Sequence, residues 1–299
     1  MKIMVYEARP DEQADLEKQA ALHGVELSVT DAVPTLENAS LAAGCAGVSI
    51  LGQGRIDAAL LDAYHALGIR YLSTRTIGYD HIDLGHARSI GLRVCSASYA
   101  PNGVADFTVM MILMCLRHYK QALWRGQVND FSLTGLQGRE MKDLTIGIIG
   151  TGRIGAQVVR NLSGFGCRIL AYDLRRNPAV ESQVTYVDFD TLLAQSDVIT
   201  LHMPLLDSNR HIINREAIAK MRDGVVIVNC SRGELADIEA LIEGIETGKI
   251  GALGMDTVEG DEGIIHADHR VDILPNRNWF YLHQFRNVIM TQHMAFYTD

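Results

Sequence analysis

The chain has 299 residues, enough for two domains of ordinary size, and its 47% apolar and 21% charged residues are typical of a folded globular protein. A net charge of −9 argues against a nucleic-acid-binding protein, because binding to a phosphate backbone depends on clustered Lys and Arg. The five cysteines form no CxxC pair, and the N-terminus lacks the apolar core of a signal peptide. No apolar run is long enough to span a membrane, so we expect a soluble, cytoplasmic protein.

The first third of the sequence alternates short apolar runs with helical patterns. Strands are predicted at residues 2–6, 25–29, 47–51, 69–73 and 92–95, and helices at 11–23 and 56–67. Strands that alternate with helices of this length form parallel sheets with helices on both faces. Residues 1–98 are therefore predicted to form one α/β domain with a doubly wound parallel sheet.

The segment Tyr99-Ala100-Pro101-Asn102-Gly103 interrupts this alternation. Proline disfavours helix at the residue before it and is favoured at the start of a helix, so a domain boundary and a hinge are predicted here. Residues 104–123 are unusually apolar and are predicted to form one helix. We interpret this helix as buried core, with packing against a second subunit as the alternative.

A βαβ unit with a glycine-rich turn follows. A strand at 145–149 runs into GTGRIG at 150–155, then a helical pattern, then a strand at 168–172. The first glycine permits the tight turn, the second lets backbone approach a pyrophosphate, and the third allows close packing of helix and strand. The helix N-terminus attracts phosphates, so the pattern predicts a dinucleotide site.

Asp173 ends the second strand of this unit. A carboxylate at this position accepts hydrogen bonds from the adenosine ribose hydroxyls and repels a 2′-phosphate. Arg175 and Arg176 follow immediately and would partly accommodate such a phosphate. NAD is therefore predicted as the cofactor in preference to NADP.

The remaining sequence continues the same architecture. Strands are predicted at 184–187, 198–201, 225–229, 252–255 and 288–291, and helices at 189–195, 215–221 and 237–247. Residues 99–294 are therefore predicted to form a doubly wound dinucleotide-binding domain. Ligands of such sheets bind beyond the carboxyl ends of the strands, so functional residues are expected directly after them.

Three residues after these strands form a candidate catalytic set: Arg232, Asp261 and His293. Arginine is a planar two-pronged donor for a carboxylate, and histidine is a proton donor for the alkoxide that forms when hydride reaches a carbonyl carbon. A carboxylate beside the histidine orients the ring and raises its pKa. Each residue alone is more often structural, but their convergence on one sheet edge predicts hydride transfer to a 2-oxo acid.

Several motifs together resemble the D-isomer-specific 2-hydroxyacid dehydrogenase family over essentially the full length of the chain. They are GTGRIG with Tyr172-Asp173, His202-Met203-Pro204, VNCSRGELAD around Arg232, GMDTVEGDEG around Asp261, and Gln292-His293 with Ala295-Phe296-Tyr297. Within the family, residues 73–83 (STRTIGYDHID) and 98–108 (SYAPNGVADFT) resemble D-lactate dehydrogenases, including the vancomycin-resistance type.

The resemblance implies two doubly wound parallel-sheet domains: a flavodoxin-like substrate domain in residues 1–98 and a Rossmann NAD-binding domain in residues 99–294. Family members continue with a helix that returns to the first domain, so residues after 295 are expected to complete it. The apolar helix at 104–123 predicts a homodimer built on the cofactor domain, and the hinge near Tyr99 predicts closure around the substrate. The family uses no metal, so the polar loop with His266, Asp268, His269 and Asp272 is not predicted to bind one.

By resemblance, Arg232 binds the substrate carboxylate and polarises the carbonyl, and His293 is the general acid and base. The rest of the substrate site comprises the backbone N–H groups of Ile77 and Gly78 and the side chains of Tyr99 and Tyr297. Cofactor contacts are implied for Gly150, Gly152, Arg153, Ile154, Gly155 and Asp173 at the pyrophosphate and ribose, and for Met203, Pro204, Asn209, Cys230, Ser231, Arg232, Asp256 and His293 toward the adenosine and nicotinamide.

Two residues depart from the family pattern. Asp261 stands where the family usually has glutamate, and Gln292 stands where it usually has proline. Aspartate is shorter than glutamate by one methylene, about 1.5 Å, so its contact with His293 is expected to be longer. Glu259 and Glu262 are alternative sources of the carboxylate.

Three functional hypotheses follow. The leading one is an NAD-dependent D-lactate dehydrogenase that reduces pyruvate. The second is a dehydrogenase for a bulkier or charged 2-oxo acid, such as 2-oxoisocaproate, phenylpyruvate or 2-oxoglutarate, which the Gly52-Gln53-Gly54-Arg55 loop would admit. The third is a non-catalytic, NAD-sensing binding protein like the family's transcriptional corepressors, against which the lack of a basic arm argues.

Overall fold

The computed structural model describes residues 1–274 and 276–298 and divides into two compact units, Met1–Tyr99 and Ala100–Asp299. Each unit contains one parallel sheet. Tyr99 belongs to the first unit, and the residues after 294 belong to the second. Across the described residues, every helix falls short of the length and apolarity needed to span a bilayer.

The first unit is a five-stranded sheet with the strand order β2-β1-β3-β4-β5. This is the flavodoxin-like order, which confirms the predicted fold of this part of the chain. The strands are β1 (Lys2–Val5), β2 (Glu26–Val29), β3 (Gly47–Ile50), β4 (Tyr71–Thr74) and β5 (Arg93–Ser96), and the helices are α1 (Gln13–His23), α2 (Ala58–Ala66) and α3 (Leu84–Ser89).

The ends of most elements in this unit are shifted by one or two residues from the sequence prediction, and the differences at β4 and α3 have clear local causes. Ile69 does not begin β4, because its backbone N–H donates to Tyr64 O at 3.0 Å and closes the end of α2. The short helix α3 was not predicted, since it lacks an apolar period. Its N-terminal signal is Asp83, whose carboxylate accepts a hydrogen bond from the backbone of His86.

The second unit contains a seven-stranded parallel sheet. The strands are β6 (Thr145–Ile149), β7 (Arg168–Tyr172), β8 (Thr185–Tyr186), β9 (Val198–Leu201), β10 (Val225–Asn229), β11 (Ile250–Met255) and β12 (Val288–Met290). The helices are α4 (Asn102–Leu116), α5 (Tyr119–Gln127), α6 (Arg153–Ser163), α7 (Phe189–Gln195), α8 (Arg215–Lys220), α9 (Ile238–Glu246) and α10 (Arg277–Gln284).

The strand order of this sheet is β12-β11-β10-β9-β6-β7-β8. It contains the doubly wound order of dinucleotide-binding folds, extended by one strand at the β12 edge, and it confirms the predicted Rossmann architecture. The order reverses between β6 and β9, so the loops after these two strands diverge and leave a crevice at the carboxyl edge. Strands β6, β9 and β10 are buried along their whole length, as expected for central parallel strands.

The prediction of one helix across residues 104–123 was wrong. The chain forms α4 and α5, which are separated at Arg117 and His118, and His118 adopts a left-handed φ of 50°. The carbonyl of Leu116, which a continuous helix would use internally, instead accepts a hydrogen bond from the backbone N–H of Arg139 at 3.1 Å. A later segment of the chain therefore ends the helix, and no residue within 104–123 signals it.

Helix α10 was also not predicted, because its aromatic residues do not form a long apolar stripe. Its start is nevertheless marked by Asn276, whose side chain accepts a hydrogen bond from Trp279 N at 3.0 Å. The same type of cap begins α2, α3, α7, α8 and α9, at Asp57, Asp83, Asp188, Asn214 and Asp237.

Candidate active site

The glycine turn after β6 has the geometry that the GxGxxG pattern predicts. Gly150 has a φ of 94°, and a Cβ on it would lie 2.6 Å from His202 O. A Cβ on Gly155 would lie 2.0 Å from Gly150 O, so α6 can approach the turn only with glycine at this position. A Cβ on Gly152, in contrast, would meet no atom within 4 Å. The space beside Gly152, at the N-terminus of α6, fits a bound pyrophosphate.

Asp173, at the end of β7, is held against this turn. Its Oδ2 accepts hydrogen bonds from the backbone N–H and the hydroxyl of Thr151, at 2.6 and 3.0 Å, and its Oδ1 accepts one from Arg175 N at 2.9 Å. Tyr186 donates to the Thr151 hydroxyl at 2.9 Å, and Asn177 donates to the Thr151 carbonyl at 2.7 Å. Thr151 thus fixes the carboxylate that is predicted to bind the ribose, a role the sequence analysis did not assign.

The loops after β9 and β10 are joined to each other. Ser231 Oγ donates to Met203 O at 2.6 Å, and the Asn209 amide donates to Pro204 O at 2.8 Å. Four of the residues predicted to contact the cofactor, Met203, Pro204, Asn209 and Ser231, are therefore brought together by direct hydrogen bonds. They follow β9 and β10, beside the crevice at which the strand order reverses.

His202 lies directly behind the glycine turn. Its Nε2 is 3.0 Å from the Thr200 hydroxyl, and its Nδ1 is buried without a hydrogen-bond partner in the described chain. Burial lowers the pKa of His202 to about 3, so the imidazole is neutral at physiological pH. His202 is therefore unsuited to donate a proton in catalysis, which leaves His293 as the better candidate on this sheet edge.

Arg232 is positioned by a buried asparagine at the end of β10. Asn229 is fully buried, its amide donates to Arg232 O at 2.7 Å, and its Oδ1 accepts a hydrogen bond from Ser231 N at 3.0 Å. A Cβ on Gly233 would lie 2.2 Å from the carbonyl carbon of Val258, so this glycine lets the Arg232 loop pack directly on the loop after β11. This role of Asn229 was not predicted, although its place at the end of a fully buried strand is a signal for it.

Asp256 fastens the segment that carries His293. It is 1% exposed, and its carboxylate accepts hydrogen bonds from the Thr291 hydroxyl at 2.6 Å and from the backbone N–H groups of Met294 and Ala295, both at 2.9 Å. These donors flank His293, which has a φ of 54°. Asp256 was predicted as a cofactor contact. In the described chain its carboxylate binds residues on both sides of His293 and so holds this segment in place.

Cys230, also predicted near the nicotinamide, is buried, and burial raises the pKa of its thiol. The thiol is therefore neutral at physiological pH, and Cys230 is unsuited to act as a nucleophile.

Asp261 follows β11 in the acidic loop. Burial raises the pKa of Asp261 to about 6, and the neighbouring carboxylates of Glu234, Glu262 and Asp256 add to the effect, against a hydrogen bond from Val258 N at 3.2 Å. In the described chain the Asp261 carboxylate is held by this backbone group. A carboxyl group with such a pKa is only partly ionised near pH 6.

The two alternative carboxylates differ from Asp261. Glu259 accepts hydrogen bonds from Arg210 Nη2 and His211 Nε2, both at 2.7 Å. Glu262 is exposed to solvent. Glu259 is therefore committed to a structural ion pair, which favours Asp261 as the carboxylate with a role near His293.

The turn at Ile77–Gly78, in the first unit, follows β4. Thr76 shapes this turn, because its hydroxyl donates to Gly78 O at 2.7 Å and lies 2.6 Å from the Thr74 hydroxyl. The Thr76 carbonyl accepts a hydrogen bond from Ala97 N at 3.0 Å, which ties the turn to the segment after β5. The backbone of Ile77 and Gly78 is thus held in place at the carboxyl edge of the first sheet.

The remaining predicted residues are placed as follows. Arg153 and Ile154 begin α6, Tyr99 ends the first unit, and Tyr297 is half exposed near the end of the second. In the polar loop with His266, the side chains of His269 and Asp272 bind each other at 2.8 Å, and Asp268 binds Arg270. Among residues 1–274 and 276–298, no group of three or more His, Cys, Asp or Glu side chains is arranged to hold a metal ion.

Comparison with known proteins bears on this arrangement. Residues 109–295 match the family described as D-isomer specific 2-hydroxyacid dehydrogenase, NAD binding domain. The chain belongs to the D-isomer-specific 2-hydroxyacid dehydrogenase family. It therefore carries that family's NAD-binding domain, and the predictions of the family, the fold class and the cofactor NAD are confirmed.

Relatives within the family differ in the substrates that their names state. The chain is 41% identical to an aromatic 2-oxoacid reductase of Clostridium sporogenes, over 100% of the chain and 91% of that protein. It is 39% identical to a D-lactate dehydrogenase of Lactobacillus delbrueckii subsp. bulgaricus, over 99% of the chain and 90% of that protein. A solved structure of a D-isomer specific 2-hydroxyacid dehydrogenase from the same bacterium, in its NAD-complexed form, matches with a TM-score of 0.80 and 30% identity, over 100% of the chain and 91% of that structure.

Proposed function

We propose that this protein is an NAD-dependent dehydrogenase that reduces a 2-oxo acid to the D-2-hydroxy acid, with pyruvate, and hence D-lactate, as the first candidate. The observation that carries the proposal is the set of residues at the carboxyl edge of the second sheet. Arg232, Asp261 and His293 follow adjacent strands of the sheet whose central turn has the geometry of a dinucleotide site. Bound NADH supplies the hydride that this chemistry requires.

Arg232 is proposed to bind the substrate carboxylate and to polarise the carbonyl, with the backbone N–H groups of Ile77 and Gly78 as further donors. A guanidinium stays charged at every physiological pH, so this pairing does not depend on protonation. The hydrogen bond from the Asn229 amide to Arg232 O holds the loop of Arg232, which supports a fixed orientation of its backbone. Tyr99 and Tyr297 are proposed to line the substrate pocket.

His293 is proposed to be the general acid in reduction and the general base in oxidation. Reduction needs a proton on the imidazole, which passes to the carbonyl oxygen as it becomes an alkoxide and then a hydroxyl. Asp256 holds the backbone on both sides of His293, and Asp261 is proposed as the carboxylate that favours the protonated ring.

The cofactor is proposed to lie along the crevice after β6 and β9. Gly150, Gly152 and Gly155 with Arg153 and Ile154 would hold the pyrophosphate, and Asp173 would accept hydrogen bonds from the ribose. The adenosine and nicotinamide sides are proposed to be formed by Met203, Pro204, Asn209, Cys230, Ser231, Arg232, Asp256 and His293.

A second candidate substrate class is favoured by one comparison. The aromatic 2-oxoacid reductase of Clostridium sporogenes is a full-length relative at 41% identity, so phenylpyruvate and similar bulky 2-oxo acids compete with pyruvate in this proposal. The deciding experiment is steady-state NADH oxidation with pyruvate, 2-oxoisocaproate, phenylpyruvate and 2-oxoglutarate. The highest kcat/KM identifies the substrate class, and no turnover of any 2-oxo acid would contradict the dehydrogenase proposal.

We also propose a homodimer and a cytoplasmic location. Helices α4 and α6 form an apolar groove that includes Met110 and Phe165, each more than one-third exposed, and this groove suits contact with a second copy of the chain. All five cysteines are free thiols, which is typical of proteins in a reducing compartment.

A further inference from the structure

Four successive backbone N–H groups after β3 converge on one buried carboxylate. Oε2 of Glu7 accepts hydrogen bonds from Leu51 N and from Gly52 N, the latter at 2.8 Å. Oε1 accepts them from Gln53 N at 2.8 Å and Gly54 N at 3.1 Å. Consecutive N–H groups that point to one place form an anion-binding concavity. Here the anion is a side chain of the same protein, and Glu7 is only 3% exposed.

We call the loop of residues 51–54 the Glu7 nest. Its conformation depends on glycines within the loop and on the backbone of Glu7. Gly52 has a φ of 91°, and a Cβ on it would lie 3.0 Å from the ring of His81. A Cβ on Gly54 would lie 2.5 Å from Val33 Cγ1. Glu7 itself has a φ of 54°, a left-handed conformation that is uncommon for residues other than glycine. Such backbone strain persists where surrounding contacts hold it, and it is frequent at functional sites.

The Glu7 nest lies beside the proposed binding turn for the substrate carboxylate. Strands β3 and β4 are neighbours, with Ile50 opposite Thr74, and the nest follows β3 as the Ile77–Gly78 turn follows β4. The two loops are also joined further on, since Ile56 N donates to His81 O at 2.8 Å and Asp83 N donates to Ile56 O at 3.0 Å. Both sets of backbone donors therefore leave the same edge of the first sheet.

We propose that Glu7 determines the substrate class by occupying the donors that would otherwise bind a second carboxylate. With the four N–H groups saturated and a negative charge in place, the loop offers no attraction to the distal carboxylate of a 2-oxo dicarboxylic acid. The protein therefore reduces 2-oxo monocarboxylic acids and rejects acids such as 2-oxoglutarate. This inference rests on the proposed dehydrogenase function and selects among its substrates.

The test removes the internal anion and measures discrimination. In Glu7→Gly, which suits the left-handed backbone, the ratio of kcat/KM for 2-oxoglutarate to that for 2-oxoisocaproate should rise about 10- to 100-fold, the range for charge-assisted hydrogen bonds to one carboxylate. Formate should reverse the gain by filling the emptied nest. Glu12→Gln is the matched control, because Glu12 binds Arg75 in the same unit at 3.4 Å without contacting the nest, and its ratio should not change.

A second readout does not depend on turnover. Formate should raise the melting temperature of Glu7→Gly but not that of the wild type, because a ligand that binds the folded state stabilises it. If Glu7→Gly does not fold, Glu7→Gln takes its place, since one acceptor oxygen and an amide cannot satisfy four donors.

Several results would overturn the inference while leaving the dehydrogenase proposal intact. One is a wild type that reduces 2-oxoglutarate as well as 2-oxoisocaproate. Another is a kcat/KM ratio for these two acids that does not change in folded Glu7 variants. A third is a melting temperature of these variants that does not change with formate. If the wild type does reduce 2-oxoglutarate, loss of that turnover in Arg55→Ala would show that this exposed arginine, and not the nest, governs a second carboxylate.

Discussion

Asp261 is a carboxylate whose surroundings oppose its charge. Three other carboxylates lie near it and burial removes its water, so its pKa rises to about 6. A raised carboxyl pKa means that the folded state favours the protonated form, and the resulting loss of stability appears as pH rises from about 4 to above 6. A position of this kind suits a residue retained for its chemistry, because another residue there would make the fold more stable.

We expect Asp261→Asn to stabilise the fold at pH 8 by about 2 kcal/mol, after allowance for its partial exposure, and to have little effect at pH 4. The measurement is urea unfolding of both proteins at the two pH values. Equal stabilisation at both would show that the charge of Asp261 is not the cause.

The same substitution should reduce activity. Asp261→Asn removes the anion proposed to favour protonated His293, so pyruvate reduction should decline at a lower pH and lose about ten- to a thousand-fold in rate. Glu262→Gln is the control, because Glu262 is exposed and should leave the pH–rate profile in place. A profile that moves with Glu262→Gln and not with Asp261→Asn would assign the role to the other residue.

Asp173 should decide between the two nicotinamide cofactors. The wild type should prefer NADH, and Asp173→Ser should raise the NADPH-to-NADH ratio of kcat/KM by about tenfold or more, because the carboxylate no longer repels a 2′-phosphate and Arg175 remains nearby. Thr151→Val is the control variant, because it removes one hydrogen bond to the Asp173 carboxylate but keeps the charge of that carboxylate. A wild type that favours NADPH would contradict the assignment.

At the scale of elements, the break between α4 and α5 shows how distant chain segments set helix ends. Gly138 lies against the end of α4, where a Cβ would lie 2.6 Å from Leu116 O and 2.9 Å from Arg117 Cδ. The backbone N–H of Arg139 donates a hydrogen bond to the same carbonyl. Helix α5 is held independently by Lys120, whose Nζ donates to the carbonyls of His283, Phe285 and Val288 at 2.7 to 2.9 Å.

Gly138→Ala should therefore destabilise the protein by about 1–3 kcal/mol, because the added methyl group meets backbone that cannot move freely. Gly126→Ala is a matched control within α5, where a Cβ meets no atom within 4 Å, and it should stabilise by about 0.5–1 kcal/mol. Urea unfolding of the two variants measures both effects. Equal effects would show that the close approach at Leu116 is not needed.

At the scale of the whole molecule, the groove on α4 and α6 is the surface proposed to form the homodimer. Met110, on α4, is 40% exposed, and Phe165, just after α6, is 38% exposed. The other face of α4 is buried core. Both interpretations of residues 104–123, buried core and subunit contact, are therefore compatible with α4, each for a different face.

We expect light scattering to give a dimer for the wild type at micromolar concentration and a monomer for the double variant Met110→Asp, Phe165→Asp, because two charges in an apolar interface are costly to bury. Leu174→Asp is the control, since Leu174 is 85% exposed outside the groove, and it should remain dimeric. A monomeric wild type would end the dimer proposal.

The sequence alone determined those features that depend on neighbouring residues. The strands at 145–149, 168–172, 198–201 and 225–229 and the helix at 189–195 were predicted with the bounds that the structure shows, because burial and apolar period are read within a short window. The glycine turn at 150–155 was also predicted from the sequence, since each glycine meets a local requirement of the backbone.

The tertiary structure alone decided the contacts between distant segments. The residues that position the candidate site, such as Asn229 for Arg232 and Asp256 for the His293 loop, look in sequence like any polar residue at a strand end. Glu7 meets residues 51–54 across more than forty intervening residues, and only the pairing of β1 with β3 brings them together. Hydrogen bonds of this kind leave no periodic trace, because they depend on which strands become neighbours and not on the local preferences of the chain.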